Sequence, residues 1–403
     1  MINLETPKKF SALVDQAHQV ALGMFRPISR KYDRAEHAYP KELDMLAALL
    51  DGMNDGGGSG GAGAAGVRRD SSDSSTENRN GSNLSTVLGV MELCWGDVGL
   101  LLTMPRQGLG NSAIASVANE EQLKRFAGRW AAMAITEPHC GSDSAAIRTS
   151  ARLDGDHYVL NGEKIFVTSG ERAELVVVWA TLDKSVGRAA IKSFVVEKGT
   201  PGFELVRLEH KLGIRASDTA QFALVNCRVP KENLLGSPVI DVEKGFGGVM
   251  QTFDNTRPLV AGMAVGVARA CLDHTRKKLK ESGIEIDYGR PALVQSAAAA
   301  EFIRMEADYE AARLLTLQAA WMADNRKPNS LHASMAKAKA GRACVDIALK
   351  CVELCGAAGY TEDELLEKWA RDAKILDIFE GTQQIQLLIV ARRLLGKTSS
   401  ELR

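Results

Sequence analysis

Apolar residues return at near-helical spacing toward both ends of the chain and at strand spacing in its middle. Leu13, Val14, Ala17, Val20 and Ala21 fit one helical face, as do Leu43, Leu46, Leu49 and Leu50. Helical patterning resumes near Leu84 and continues past Trp95. From about 131 to 230 the period shortens to that of strands. Two runs, 157–160 and 164–168, flank Asn161-Gly162, which tolerates the positive φ angles of a type I′ turn and so predicts a hairpin. Further strands are predicted over 175–182, 192–197, 203–208 and 221–225. Short strands this close together predict a small barrel or sandwich. From about 242 onward helical spacing returns in four or five long segments. Those over 298–323 and 331–355 are rich in Ala, Leu and Met and predict a four-helix bundle. The expected fold is α+β and mostly α. An N-terminal helical domain spans 1–130, a middle β-barrel or sandwich domain spans 131–240, and a C-terminal four-helix bundle spans 241–403.

Composition interrupts this pattern once. Residues 54–82 are almost all Gly, Ser, Asp, Asn and Arg, too polar to offset the entropy of ordering, so a flexible loop is expected there. Within it Gly61-Ala62-Gly63-Ala64-Ala65-Gly66 fits the dinucleotide pattern G-x-G-x-x-G. That motif needs a strand before it and a helix after it, and low-complexity sequence supplies neither. A linker is the better reading.

Charge narrows the function classes. The 403 residues carry 50 Lys+Arg against 50 Asp+Glu, which favours neither nucleic acid nor an anionic membrane. Seven scattered cysteines argue against a disulfide framework and for a reducing, cytoplasmic setting. Cys351 and Cys355 share a helical face, but no nearby His or second Cys pair completes a zinc site, so no metal is expected. The opening MINLETPKKF lacks a signal-type apolar core, the run 175–182 is too short to span a bilayer, and the final Glu-Leu-Arg is not a peroxisomal address.

Ordered motifs then carry a resemblance. They are Ile135-Thr136-Glu137-Pro138 with Gly141-Ser142-Asp143, then Leu160-Asn161-Gly162-Glu163-Lys164 with Phe166-Val167-Thr168. Lys211-Leu212-Gly213-Ile214-Arg215 with Ser217-Asp218-Thr219 follows, then Phe253-Asp254-Asn255-Thr256-Arg257-Pro258. The last block runs from Arg371 through Ile378-Phe379-Glu380-Gly381-Thr382 to Gln386. In this order and spacing the set resembles the acyl-CoA dehydrogenase family over nearly the whole chain, and the family fold agrees with the pattern above.

Such an enzyme removes a weakly acidic α-proton from an acyl-CoA thioester and passes the β-hydride to FAD. A desolvated carboxylate suits the first step, and fixed donors must hold the charge that develops on the thioester oxygen. Glu380 stands between apolar Ile378-Phe379 and flexible Gly381, a context for a carboxylate in a dry pocket; the alternative is a solvated loop glutamate. The resemblance implies Glu380 as the catalytic base, with its own backbone N–H as a thioester donor. Some members place the base at the position of Thr256, and threonine cannot do that work. The resemblance also implies Thr136, Ser142, Phe166, Thr168, Gln295, Gly381, Thr382 and Gln384 for FAD, and Ser142, Asp254 and Arg257 for the acyl-CoA. Phe166 reads equally as β-core packing, and Arg257 equally as half of a structural ion pair. His139 reads as a solvent-facing loop residue. Electron-transfer flavoprotein is the implied electron acceptor.

Two departures bear on assembly. Homo-oligomeric members carry an Arg and a Phe near 280–296 that reach the FAD of a neighbouring subunit. Here Ser282 replaces the arginine, Tyr288 stands near the aromatic, and Gln295 is the candidate for the family's glutamine. Glu353 stands where a glutamine precedes the glycine motif Gly356-Ala357-Ala358-Gly359, and a carboxylate beside a pyrophosphate is unfavourable. Tyr288 and Arg290 are the candidates for replacement contacts. The sequence resembles actinobacterial members that act on steroid or other bulky acyl-CoAs as hetero-oligomers of unlike subunits. The expectation is therefore a homo- or hetero-oligomer with a related chain. A non-catalytic partner subunit and a flavin oxidase on the same fold are the rival readings.

Overall fold

A computed structural model describes residues 6–47, 80–105, 109–241, 247–398 and 401, without the side chains of 247–255. Most of the predicted loop, residues 54–79, lies outside the described residues, as do Leu49 and Leu50. The last part of that stretch is not loop: Ser82 opens a helix.

Helices α1 (Ser11–Val20) and α2 (Arg26–Arg34) are joined through a π-helical turn at Ala21–Phe25. After a helical stretch over 42–47, helix α3 (Ser82–Gly96), α4 (Val98–Leu101), α5 (Leu109–Val117) and α6 (Glu120–Arg125) follow in the first part. Helix α6 begins from an N-cap at Asn119. Asn119 accepts from Gln122 N, and the Gln122 side chain answers the Asn119 N–H, a reciprocal capping box. Helix α3 is apolar on nearly every side because it is buried between neighbours.

The middle of the chain forms one curled seven-stranded sheet. Its strands are β1 (Ala131–Ala134), β2 (Ser150–Asp154), β3 (His157–Thr168), β4 (Leu175–Thr181), β5 (Ile191–Glu197), β6 (Phe203–Leu208) and β7 (Thr219–Pro230). The path runs β1-β4-β2-β3-β7-β6, with β5 on β4. Strand β4 is buried throughout because alternate residues enter two different cores: Val176, Val178 and Ala180 one, Leu175, Val177 and Trp179 the other. That is why 175–182 reads as an unbroken apolar run.

The hairpin expected at Asn161-Gly162 does not form. Strand β3 passes straight through the pair. Both flanks stay registered with β7, Leu160 opposite Cys227 and Gly162 opposite Leu224, with a bulge between them. The Asn161 side chain accepts from Asn226 N at 2.8 Å instead of closing a turn. The reversal lies one segment earlier, between β2 and β3, where Gly155 takes φ +65°. Ladder pairing on both sides outweighs the local turn preference.

Helices α7 (Gly247–Glu281), α8 (Ala297–Asp324) and α9 (Ser330–Cys355) pack with one another and with α3, followed by α10 (Leu366–Leu376) and α11 (Gln383–Leu395). One continuous core joins the first helices to this bundle, from Phe25 and Met91 to Cys344, Trp369 and Leu376. All seven cysteines are free. Among the described residues no helix is long and apolar enough to cross a membrane.

The sheet is fastened to α10 just ahead of Glu380. Asp372 accepts from Ile214 N at 2.5 Å, and Arg371 donates to Leu212 O at 3.0 Å while pairing with Asp33. Lys368, fully buried, bridges Asp97 at 2.7 Å and Asp372 at 2.5 Å. These contacts join three parts of the chain at one point and fix where the next turn begins.

Candidate active site

Helix α9 owes its closeness to α10 to small residues. At Gly341 an added Cβ would lie 2.7 Å from the Leu376 carbonyl oxygen, so only glycine permits the approach. The chain after Leu376 is thereby laid against α9. There Glu380 (φ 56°) and Gly381 (φ 91°) both take left-handed backbone. For a glutamate this costs about 1–2 kcal/mol, so the turn must be held by its surroundings. Gln386, buried in α11, donates from Nε2 to the carbonyls of Glu380 (3.1 Å) and Gly381 (3.2 Å). Lys337, buried in α9, donates from Nζ to the Gly381 carbonyl at 2.6 Å.

The Glu380 side chain is thus aimed by a fixed backbone. Thr256 in α7 donates from Oγ1 to Glu380 Oε2 at 2.8 Å. Burial pushes the carboxyl above the ordinary glutamate range; the Thr256 hydrogen bond and the charges of Arg257 and Lys337 pull it back without cancelling the effect. Part of the residue nonetheless remains accessible. The result is a basic carboxylate that a ligand can reach, not a solvated loop glutamate. Burial depresses the Lys337 ammonium to about 8, opposed by Asp377 and Glu380.

A second carboxylate lies in the β domain. Glu137, buried at the end of β1, receives Lys164 Nζ at 2.8 Å, Thr149 N at 2.9 Å, Thr149 Oγ1 at 2.5 Å and Arg148 N at 2.7 Å. Burial pushes it up, but Lys164 and the other donors outweigh that and hold it below the ordinary range. Lys164 also donates to Ile135 O at 3.1 Å, so the pair anchors the loop that carries Thr136 and Ser142.

That loop meets β3 where Ile165 N donates to Thr136 O at 2.9 Å. The next residue, Phe166, has φ 59° within a bulge and is 59% exposed. It is therefore not packed in the β core, and an exposed ring of this kind can stack on a planar ligand. Thr168 and Thr136 are half-buried beside this bulge and loop, while Ser142 is exposed. Thr382 caps α11 by accepting from Ile385 N at 3.4 Å, with Gln384 exposed in its first turn. A helix start with left-handed Gly381 before it suits a phosphate-bearing ligand. An exposed aromatic with hydroxyls beside it, and a helix start that follows left-handed Gly381, are groups of the kind that fit FAD.

Other predicted residues fall elsewhere. Arg257 is buried next to Glu380, not on a rim. Asp254 lies on α7 among the residues whose side chains are outside the description. Gln295 is turned onto its own loop, accepting from Asp287 N (3.1 Å) and donating to Asp287 O (2.8 Å) and Arg290 O (3.1 Å). Ser282 is exposed at the end of α7. Tyr288, 60% exposed, donates to Glu306, and Arg290 pairs with Asp287 at 3.3 Å. Glu353 pairs with Lys350 at 2.6 Å on its own helix. Exposed His139 lies 3.5 Å from Glu137.

Sequence reasoning passed over Thr256 and Lys337. Thr256 was weighed only as a base, and Lys337 sits in an Ala-rich helix with no local mark. Among the described residues two clusters offer metal-ligand atoms, Glu137-His139-Cys140 and Glu36-His37-His210. In the first the carboxylate is saturated as described. In the second Glu36 accepts from Lys211 N (2.9 Å) and pairs with His210 Nδ1 (2.8 Å), beside the Lys211 cation. Neither reads as a metal centre.

Known proteins share this sequence pattern and fold. Family models for the acyl-CoA dehydrogenase middle domain and C-terminal domain match residues 132–227 and 243–395. The short-chain specific acyl-CoA dehydrogenase of Clostridium acetobutylicum is 35% identical over 322 residues, covering 78% of this chain and 83% of its own. Butyryl-CoA dehydrogenase from Megasphaera elsdenii superposes with a TM-score of 0.82 at 28% identity, covering 98% of this chain and 100% of that one. A chain from the work on the electron transferring flavoprotein of Acidaminococcus fermentans gives 0.82 at 33% identity, with the same coverage.

Proposed function

The chain belongs to the acyl-CoA dehydrogenase family, oxidoreductases acting on CH–CH bonds whose members are FAD-dependent flavoproteins, and we propose that Glu380 is its catalytic base. One observation carries the reading: a glutamate on a left-handed turn, buried enough to be basic, aimed by Gln386 and Lys337, and still reachable. Glu380 takes the α-proton of the acyl-CoA at Oε1 or Oε2, with Thr256 steadying the ionised form. The Glu380 backbone N–H holds the charge that develops on the thioester oxygen. Bound FAD supplies the acceptor for the β-hydride. Phe166, Thr136 and Thr168 hold the isoalloxazine side, Gly381, Thr382 and Gln384 the ADP side. Ser142, Asp254 and Arg257 serve the CoA end, Arg257 from within. Electrons pass on to an electron-transfer flavoprotein in a cytoplasmic setting. The relatives named short-chain and butyryl-CoA dehydrogenase favour a short acyl chain over a steroid one.

For assembly we propose a heteromer with a related chain, and fewer than one FAD per chain of this protein. Ser282 offers no cation, Tyr288 and Arg290 are engaged by Glu306 and Asp287, and Gln295 is folded onto its own loop. Glu353 weighs less heavily than its charge suggests, because Lys350 neutralises it.

The test is anaerobic bleaching of the flavin by an acyl-CoA panel, followed by re-oxidation. Bleaching that electron-transfer flavoprotein reverses, and air does not, supports the dehydrogenase. Rapid re-oxidation by air indicates an oxidase, and no bleaching indicates a non-catalytic subunit. Native mass and flavin stoichiometry of the chain expressed alone decide assembly; a homotetramer with one FAD per subunit and full activity rules out the heteromer.

A further inference from the structure

A lysine whose side chain is wholly buried needs a reason, because removing an ammonium from water costs several kcal/mol unless charge and hydrogen bonds replace the lost solvent. Lys337 is 0% exposed. It lies one helical turn before Gly341, the point of closest approach between α9 and α10. From there Nζ reaches only a short way out of the helix to the Gly381 carbonyl, at 2.6 Å. The charged groups that face it come from two elements: Asp377 and Glu380 from the turn after α10, and Arg257 from α7. Asp377 is itself shared with Arg342 and Lys374, each at 3.3 Å, so it compensates Lys337 only in part.

We propose that Lys337 is a positioning residue for the base: its hydrogen bond fixes the Glu380–Gly381 turn, and its charge holds the Glu380 carboxylate ionised inside a buried site. The inference rests on the reading of Glu380 as the base. Lys337 hydrogen-bonds the turn, not the carboxylate, and acts on proton transfer through the residue it positions. The two functions reinforce each other. Gln386 already grips both carbonyls of the turn from the opposite side. A neutral donor would therefore be enough to shape the backbone, and the choice of a cation points to the carboxylate. Burial alone raises Glu380, and a base raised too far would be protonated at working pH and idle. A fixed cation limits the rise while leaving the carboxylate basic.

The experiment measures the rate of anaerobic flavin reduction against pH in the FAD-loaded protein, in whatever assembly binds it. At the pH where wild type runs at half its plateau, Lys337→Met is expected to run roughly five-fold slower, with its acid limb displaced to higher pH. Lys337→Arg, which keeps the charge, should return the limb toward its wild-type place. A purely structural lysine would lower the plateau of Lys337→Met and leave the limb where it was, and that result overturns the proposal. Should Lys337→Met fail to retain FAD, Lys337→Gln decides. It keeps a donor for the Gly381 carbonyl without the charge, so the limb must move to higher pH; an unmoved limb overturns the proposal equally. Glu380→Gln separates the two claims. If it reduces flavin at a near-normal rate, the base assignment fails. If it is inactive and the limb ignores Lys337, only the present proposal fails.

Discussion

Two buried glutamates in this chain, each inside a motif, meet opposite fates. Glu137 accepts from an ammonium, two backbone N–H groups and a hydroxyl, and its carboxyl is held below the ordinary range. Among the described residues Glu380 accepts from one hydroxyl and makes no ion pair, and it is held above that range. Burial pushes both upward, so burial is not what separates them. The number and directness of the donors decides. A saturated carboxylate is a fastener and is useless as a base, whereas an under-supplied one keeps its appetite for a proton.

The largest expected effect lies at Glu380. Glu380→Gln should slow flavin reduction by substrate by about 10²–10⁴-fold or more, with FAD retained, as read by stopped-flow absorbance. The same change at Glu137 should reduce flavin at a rate far closer to wild type. Its loss should fall on stability instead, by about 3 kcal/mol, because Lys164 is left buried opposite a neutral amide. Chemical denaturation of the two variants reads the contrast directly.

Linkage sharpens it. Glu137 has a depressed folded pKa, so its stabilisation is present above the unfolded value and lost as pH falls through the folded one. Glu380 has a raised folded pKa, so its ionisation costs stability as pH rises from the unfolded value through the folded one. Glu380→Gln should therefore be the more stable protein at neutral pH and should lose that advantage in acid. Glu137→Gln should be the less stable at neutral pH, with the gap closing in acid. Melting temperatures across the acid range give both signs, and equal signs would break the comparison.

Smaller still is Thr256→Val. It removes the one direct donor to the Glu380 carboxylate among the described residues, worth about 1.5–3 kcal/mol as a bond to a charged group, less what water regains. The acid limb of flavin reduction should move to higher pH, with a several-fold loss below it and little change on the plateau. A limb that stays in place would mean the Thr256 hydroxyl does not act on the ionised form.

Much of this was legible in the chain itself, and for local reasons. Helical spacing in 298–323 and 331–355 and the apolar run of β4 follow from side chains a few residues apart. The apolar approach and following glycine that single out Glu380 are contiguous too. Asn161-Gly162 misled because a turn dipeptide states only a local preference. The β7 strand that overrides it lies more than sixty residues on, where Asn226 N meets the Asn161 side chain. Phe166 could be read as core or as ligand surface until the bulge turned it outward. Sequence determined most of the elements that form and which carboxylate stands beside an apolar approach. Tertiary structure alone decided that Thr256 and Lys337 converge on the turn that carries it, since one comes from α7, the other from α9, and a single missing Cβ at Gly341 lets α9 close on the end of α10.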